Sequence, residues 1–287
     1  MAADSYRFRV GSIECIAVSD GTFTYPSAAF AANAPAGQFD SELQAHDLPP
    51  HEVVSPYTCL VVDTGRHRVL VDTGAGFAPT NGKLVENLAG LGIAPTDIDT
   101  VVLTHGHADH VGGNTDAAGS PTFPKARYVM SRDEWAFWTQ DQPDLRSMPA
   151  DEHLKHLLVE SAHAKLRPLH ERVELIAGES EIVPGVQAIA APGHTPGHIA
   201  LSISSGAEQV LHLADTVLHP ILMERPEWVP AFDLVPDLAA ATKRRLLDRA
   251  AADRALALAF HFPPFPSLGH VVPQGNAWRW QPLEPTA

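Results

Sequence analysis

"LTHGHADHVGG", Leu103–Gly113, is the stretch that decides how this 287-residue chain is read. It places three histidines and an aspartate within the six residues His105–His110, directly after the apolar run Thr100–Leu103. An apolar run of that kind reads as a buried strand, and the residues at its end read as a loop turning into a helix. Loop side chains at a strand end are free to converge. Metal ligands must approach a cation at about 2.0–2.2 Å from several directions, so His105 and His107 can point at one cation and Asp109 and His110 at a second. Gly112 and Gly113 allow the tight backbone turn that follows. The alternative is a polar loop that happens to be rich in histidine.

The rest of the chain supplies the ligands that a two-cation site needs. Two cations about 3.5–4 Å apart call for roughly seven ligands, one of them shared. "APGHTPGHIAL" (191–201) offers His194 and His198, "LHLADTVLH" (211–219) offers Asp215, and "ALAFHFP" (257–263) offers His261. Each stands at the C-terminal end of an apolar strand-like run, where loops from different strands can meet. The two cysteines, Cys15 and Cys59, lie in apolar runs and read as buried free thiols, so any metal is held by His and carboxylate.

Composition excludes several classes. Hydrophobic residues make up 45% and charged residues 19%, as in ordinary folded proteins. The formal net charge of -14 repels nucleic acid, and no Lys/Arg cluster makes a local exception. No apolar run approaches a membrane span, and the N-terminus has no basic segment followed by an apolar one. A cytoplasmic protein acting on a small molecule is expected, with no nucleic-acid or membrane partner.

Along the chain, residues 6–24 read as one or two strands, and 25–56 as an irregular arm or lid. "TCLVVDTG" and "HRVLVDTGAG" form a hairpin, and Lys83–Leu91 a helix. A strand at 125–131 leads into a helix capped by Ser131, with Glu134 at the capping-box position. A helix over 150–166 follows, then strands near 173–176, 186–190, 199–204 and 209–214, a helix over 235–252 and a strand over 255–260. The Pro- and aromatic-rich tail 262–287 should be irregular. Strands in two sets with helices nearby give an α/β (α+β layered) architecture, and no linker divides the chain, so one domain over 1–287 is expected. His153, His156, His163 and His170 read as a solvated face, with no Asp or Cys to complete a second site.

The ordered set His-x-His-x-Asp-His, "GHTPGH", "LADT" and a late His, with "LVDTG" around Asp72, resembles the metallo-β-lactamase fold superfamily. The resemblance covers about residues 8–275. It implies a four-layer αβ/βα sandwich with the site at one edge. It implies one metal on His105, His107 and His194, another on Asp109, His110 and His261, and Asp215 bridging the two. Asp72 would orient a ligand by hydrogen bonding, the alternative being a plain turn residue, and His198 suits a structural or ligand-orienting role over ligation. Zn(II) suits the donor set, and Mn, Co or Fe could also serve. His107 stands where redox members carry Glu, which points to hydrolysis.

In such members a hydroxide shared by two metals attacks the substrate, with Asp109, or Asp215 beside it, as the proton carrier. Asp215 argues against a true β-lactamase, the acidic surface against RNA processing, and the short tail against a glyoxalase-type thioesterase. "HFPPFPSLGHV" followed by "WRWQPL" resembles the branch containing methyl parathion hydrolase and related lactonases and arylesterases. This implies opening of lactones or cleavage of aryl esters, phosphotriesterase side activity, and a homodimer. A non-catalytic binding or sensor protein on the same fold is the alternative of another class. Phe137, Trp138, Leu218, Ile221, Met223, Trp228, Phe262, Phe265 and Leu268 lie near the motif loops in sequence and are candidate pocket residues. His270 either lines the pocket or satisfies a backbone carbonyl.

Overall fold

The computed structural model describes residues 4–76 and 80–283. Fourteen strands form two seven-stranded sheets, each ordered as in the sequence. The first sheet holds β1 (Ser5–Val10), β2 (Ile13–Pro26), β3 (Glu52–Asp63), β4 (Arg68–Val71), β5 (Thr100–Leu103), β6 (Arg127–Ser131) and β7 (Val173–Ile176). The second holds β8 (Ser180–Val183), β9 (Val186–Ala190), β10 (Ile199–Ser205), β11 (Glu208–His212), β12 (Leu256–Leu258), β13 (Leu268–Gln274) and β14 (Ala277–Pro282). Pairing is antiparallel from β1 to β4 and parallel from β4 to β7. In the second sheet only β11 and β12 run parallel.

Alternation along the strands builds the layers, because successive side chains leave a strand on opposite faces. Val69 and Val71 of β4 face inward and share one cluster with Leu201, Ile203, Val210 and Leu258 of the other sheet. Leu70, between them, faces outward and packs with Val101, Leu103 and the first-sheet helices. These are α2 (Leu84–Gly90), α3 (Ala108–Val111), α4 (Arg132–Thr139) and α5 (Glu152–Leu166). On the far side, Leu211 and Ala257 pack against Leu222 and Met223 of α6 (Ile221–Glu224) and Leu246, Leu247 and Ala250 of α7 (Pro236–Asp253). The order is helix, sheet, sheet, helix, the expected four layers.

Three local expectations need correction. The segment 25–56 is not irregular throughout: β2 runs to Pro26, a helix, α1, spans Gln38–Ala45, and β3 begins at Glu52. The tail carries the hairpin β13–β14, with Gln274 opposite Ala277 across Gly275-Asn276. Two-residue turns of this type need positive φ, which Gly275 supplies at 62°. Residues 284–287 of that tail lie outside the described residues. Finally, Ser131 is the N-cap of α4 but makes no side-chain cap bond, and Glu134 is turned inward to another task described below.

Cys15 and Cys59 are free and buried. Among the described residues no helix is long and apolar enough to cross a membrane. Of the histidine series, His156 faces Glu160 at 3.3 Å, His170 is exposed, and His163 Nε2 lies 2.9 Å from the carbonyl of Gln140.

Candidate metal centre and its cavity

The parallel run β4–β5–β6 brings the C-terminal ends of its strands to one edge, where loops can meet. Asp72 follows β4, His105–His110 follow β5, His194 follows β9, Asp215 follows β11, and His261 follows β12. Thr104 O accepts a hydrogen bond from Ile199 N at 3.0 Å, which fixes the first sheet's loop against the second sheet.

Ligand atoms of His105, His107, His194 and Asp215 lie within 4.8 Å of one another, and so do those of Asp109, His110 and His261. Asp215 sits between the groups. Its Oδ1 is 3.2 Å from His110 Nε2, and its Oδ2 is 3.2 Å from His261 Nε2, 3.4 Å from His194 Nε2 and 3.8 Å from His105 Nε2. Asp109 faces His261 Nε2 at 3.4 Å and His110 Nε2 at 3.9 Å. His107 turns Nδ1 towards His194 Nε2, at 2.9 Å.

The donor set fits a pair of divalent cations. His105 Nε2, His110 Nε2 and Asp215 Oδ1 are buried with no hydrogen-bond partner among the described residues; the 3.2 Å approach of the last two is out of line for one. Such orphaned atoms are costly unless something else uses their lone pairs. Five imidazoles and two carboxylates without a thiolate suit zinc, and other divalent transition metals too. Burial holds the His105 and His107 rings well below the usual imidazole range, and so neutral, the form that donates to a cation. Burial also works against charging His110 and His261. The carboxylates of Asp215, Asp72 and Asp109 outweigh it at His110, and those of Asp215 and Asp109 push His261 up to about 9.

Behind these atoms stands a shell of hydrogen bonds that sets each ring. Asp72 Oδ2 lies 2.7 Å from His110 Nδ1 and accepts from Thr104 Oγ1, while Oδ1 accepts from Thr104 N. Asp72 and Ala214, next to the ligand loops, both hold positive φ, 60° and 46°, a conformation that surrounding structure must enforce in residues with a Cβ. His198 is no part of either group. Burial holds it near 3, thus neutral; Nδ1–H donates to Ala191 O and Nε2 accepts from Asp215 N. It therefore fixes the backbone that carries Asp215.

Sequence reasoning missed three such partners. Asp233 Oδ1 is 2.8 Å from His194 Nδ1, and Ser55 Oγ is 2.9 Å from His261 Nδ1. The third is Glu134, fully buried on α4. Its Oε1 accepts from Gly106 N and Trp138 Nε1, its Oε2 from Thr195 Oγ1 and Gly197 N. Gly106 lies between His105 and His107, and Gly197 between His194 and His198, so one carboxylate ties both ligand loops together. Burial pushes its pKa up, and the four donors pull it back. The capping-box spacing was a true sequence pattern answering a different need.

A cavity of about 330 Å³ opens on the metal ligands. His107, Asp109, His194, Asp215 and His261 form its floor. Its walls come from β2 and β3 (Phe23, Tyr25, Ser55, Tyr57), the arm (Phe30), α5 (Leu154, Leu158), Leu218 and Phe232. Of the expected pocket residues, Leu218 alone lines it. Ile221, Met223, Trp228 and Phe262 are buried in the outer core of the second sheet. Phe265 and Leu268 belong to the core between the sheets. Phe137 packs edge-on to Trp138 in the first sheet's outer core. His270 Nδ1 lies 3.3 Å from Ala255 O, away from the site. These residues are near the motif loops in sequence, but their apolar side chains pack into the sheet and helix cores rather than into the cavity.

Comparison with known proteins agrees with this geometry. Residues 53–261 match the metallo-beta-lactamase superfamily. An N-acyl homoserine lactonase of Bacillus thuringiensis is 26% identical over 222 residues, 69% of this chain and 78% of that one. Another, from Bacillus sp., is 27% identical over 180 residues, 55% of this chain; the match spans 62% of that relative's length. Among solved structures, AidC, a dizinc quorum-quenching lactonase in complex with a product, superposes with a TM-score of 0.93 at 25% identity, covering 99% of this chain and 98% of that one.

Proposed function

The chain belongs to the metallo-beta-lactamase superfamily, and we propose that it is a dinuclear metallohydrolase that opens lactones, N-acyl homoserine lactones among them, and cleaves related esters. The observation that carries this reading is the carboxylate of Asp215, lying between two groups of candidate ligands, several of whose buried nitrogens have no hydrogen-bond partner among the described residues, at the floor of a largely apolar cavity. Relatives named as N-acyl homoserine lactonases and the dizinc neighbour support the choice of substrate and of zinc.

In this reading His105, His107 and His194 would hold one cation, Asp109, His110 and His261 the other, and Asp215 would serve both. Bound as a pair, the cations supply Lewis acidity and a hydroxide nucleophile at neutral pH. The protein's own part is threefold. Asp72, Asp233 and Ser55 fix the tautomers and directions of His110, His194 and His261. The walls exclude bulk water and hold an acyl chain. Asp109, half-buried at the cavity floor and in reach of His261, carries a proton to the leaving alkoxide at its Oδ atoms. Asp215, which also lines the cavity floor, would share that task in this reading.

The same reading includes a homodimer and phosphotriester side activity, both resting on the resemblance in sequence; sedimentation and a phosphotriester assay test them. Asp215→Asn tests the central role. Turnover of N-hexanoyl homoserine lactone should fall by at least ~10³-fold, and full turnover in a variant that still holds two metals would remove Asp215 from its assigned place. A non-catalytic sensor on this fold has no observation in its favour, because all seven ligand positions are filled.

A further inference from the structure

Two phenols stand over the metal floor, and nothing above assigns them a task. Tyr25 at the end of β2 and Tyr57 in β3 both line the cavity with Asp109, Asp215 and His261. Their hydroxyls lie 2.5 Å apart, a hydrogen bond in which either can donate. A proton count follows. Two hydroxyls carry two protons, and their mutual bond uses one. Neither hydroxyl has another partner among the described residues. The neighbouring polar groups do not take the second proton either. Ser55 is engaged with His261, and Asn81 Oδ1, which lines the same cavity, is itself without a partner among the described residues. One O–H is therefore left over, in a cavity whose walls are otherwise mostly apolar.

The pairing also strengthens that donor. A hydroxyl that accepts a hydrogen bond becomes a better donor through its own proton. A preformed donor in a site screened from water acts most strongly on an oxygen where negative charge develops. The cavity brings such a donor to within the space shared with the metal floor.

We propose that the Tyr25–Tyr57 pair is a catalytic donor, presenting one O–H to the carbonyl oxygen of the lactone or ester as that oxygen gains charge. The proposal rests on the hydrolase reading above. No proton is transferred in this step; the hydrogen bond tightens as the carbonyl becomes tetrahedral and relaxes when the ring opens.

The test compares wild type, Tyr25→Phe, Tyr57→Phe and the double variant on N-hexanoyl homoserine lactone, with metal content and Tm measured for each. Either single variant leaves one hydroxyl free to turn to the substrate, so each should lose only about threefold in kcat. The double variant removes the donor and should lose on the order of 10²-fold in kcat, with KM within about twofold of wild type. The loss must exceed the product of the single losses. A double variant with both metals and the wild-type Tm whose kcat stays within threefold overturns the proposal, as does a single variant as impaired as the double. Should the double variant melt early, 3-fluorotyrosine at position 25 or 57 keeps the shape and strengthens the donor. A kcat changed by about twofold or more at either position supports the pair, and no change at both overturns it. Wild-type protein that opens no lactone and cleaves no ester fails the hydrolase reading and this inference together; turnover that ignores the tyrosines fails this inference alone.

Discussion

Glu134 and Lys243 show how much single buried charges decide here. Glu134 accepts four hydrogen bonds and offers none, so a group that must donate on one side breaks the arrangement. Glu134→Gln places an amide N–H against N–H donors of one ligand loop. We expect the variant to fold, to bind metal on His105, His107 and His194 at least ~10-fold more weakly, and to leave the Asp109, His110 and His261 group less affected. Stepwise metal titration against a chelator reads this, and unchanged affinities would reduce Glu134 to a packing residue. Lys243 on α7 is 4% exposed, donates to Trp228 O, and is pushed by burial down to about 8. Its folded pKa lies below its unfolded value of about 10.4, so the unfolded chain binds the extra proton between them. Stability from this residue is therefore lowest below pH 8 and rises as pH climbs from about 8 towards about 10, by roughly 3 kcal/mol at most. The stability of wild type relative to Lys243→Met should grow over that window in denaturant titrations. A flat difference would mean that Lys243 titrates normally.

At the scale of elements, close approach matters as much as hydrogen bonding. A Cβ on Gly197 would sit 2.1 Å from Glu134 N, and one on Gly106 would meet the Trp138 indole at 2.4 Å. Helix α4 thus lies directly on both ligand loops. Gly197→Ala must push helix backbone away, and we expect a loss of about 2 kcal/mol or more together with weaker metal binding; a variant with wild-type Tm and metal content would show that α4 can yield. The elements were read from the sequence where an apolar run and its period agreed, as in Thr100–Leu103 or the helix after Val235. They were missed where composition masked pattern. Pro and aromatic residues hid β13–β14, although Gly275-Asn276 between alternating Val271 and Trp278, Trp280 is a hairpin signal. All seven candidate ligands were legible because each ends an apolar run. Their supports were not: Asp233 is 39 residues from His194, and Ser55 is 206 from His261. No local pattern marks such pairs. Of the expected pocket residues all but Leu218 failed for the same reason, since most of the cavity wall comes from β2, β3 and α5, remote in sequence from the motifs.

Across the whole molecule, the candidate metal centre spans the two halves. Four candidate ligands leave the first sheet at the end of β5, and three leave the second sheet after β9, β11 and β12. Cations held only by the folded chain stabilise it by mass action, about 4 kcal/mol per site at a thousandfold excess over Kd. For a chain of this size each kcal/mol moves Tm by roughly 2–4 °C. Chelation of both cations should therefore lower Tm by roughly 15–30 °C, and zinc should restore it; a Tm indifferent to both would separate the centre from the fold's stability. The account's central claim is metal-dependent opening of lactones and esters, and acid release in a pH-stat tests it most directly. The panel holds an aryl lactone, a long-chain acyl homoserine lactone, an aryl ester, a phosphotriester and a β-lactam, each with zinc-loaded and with chelated protein. The account predicts acid release from the lactones and the ester with zinc-loaded protein, and none after chelation. A fully loaded protein that releases acid from none of them, or that works equally well after chelation, would contradict it.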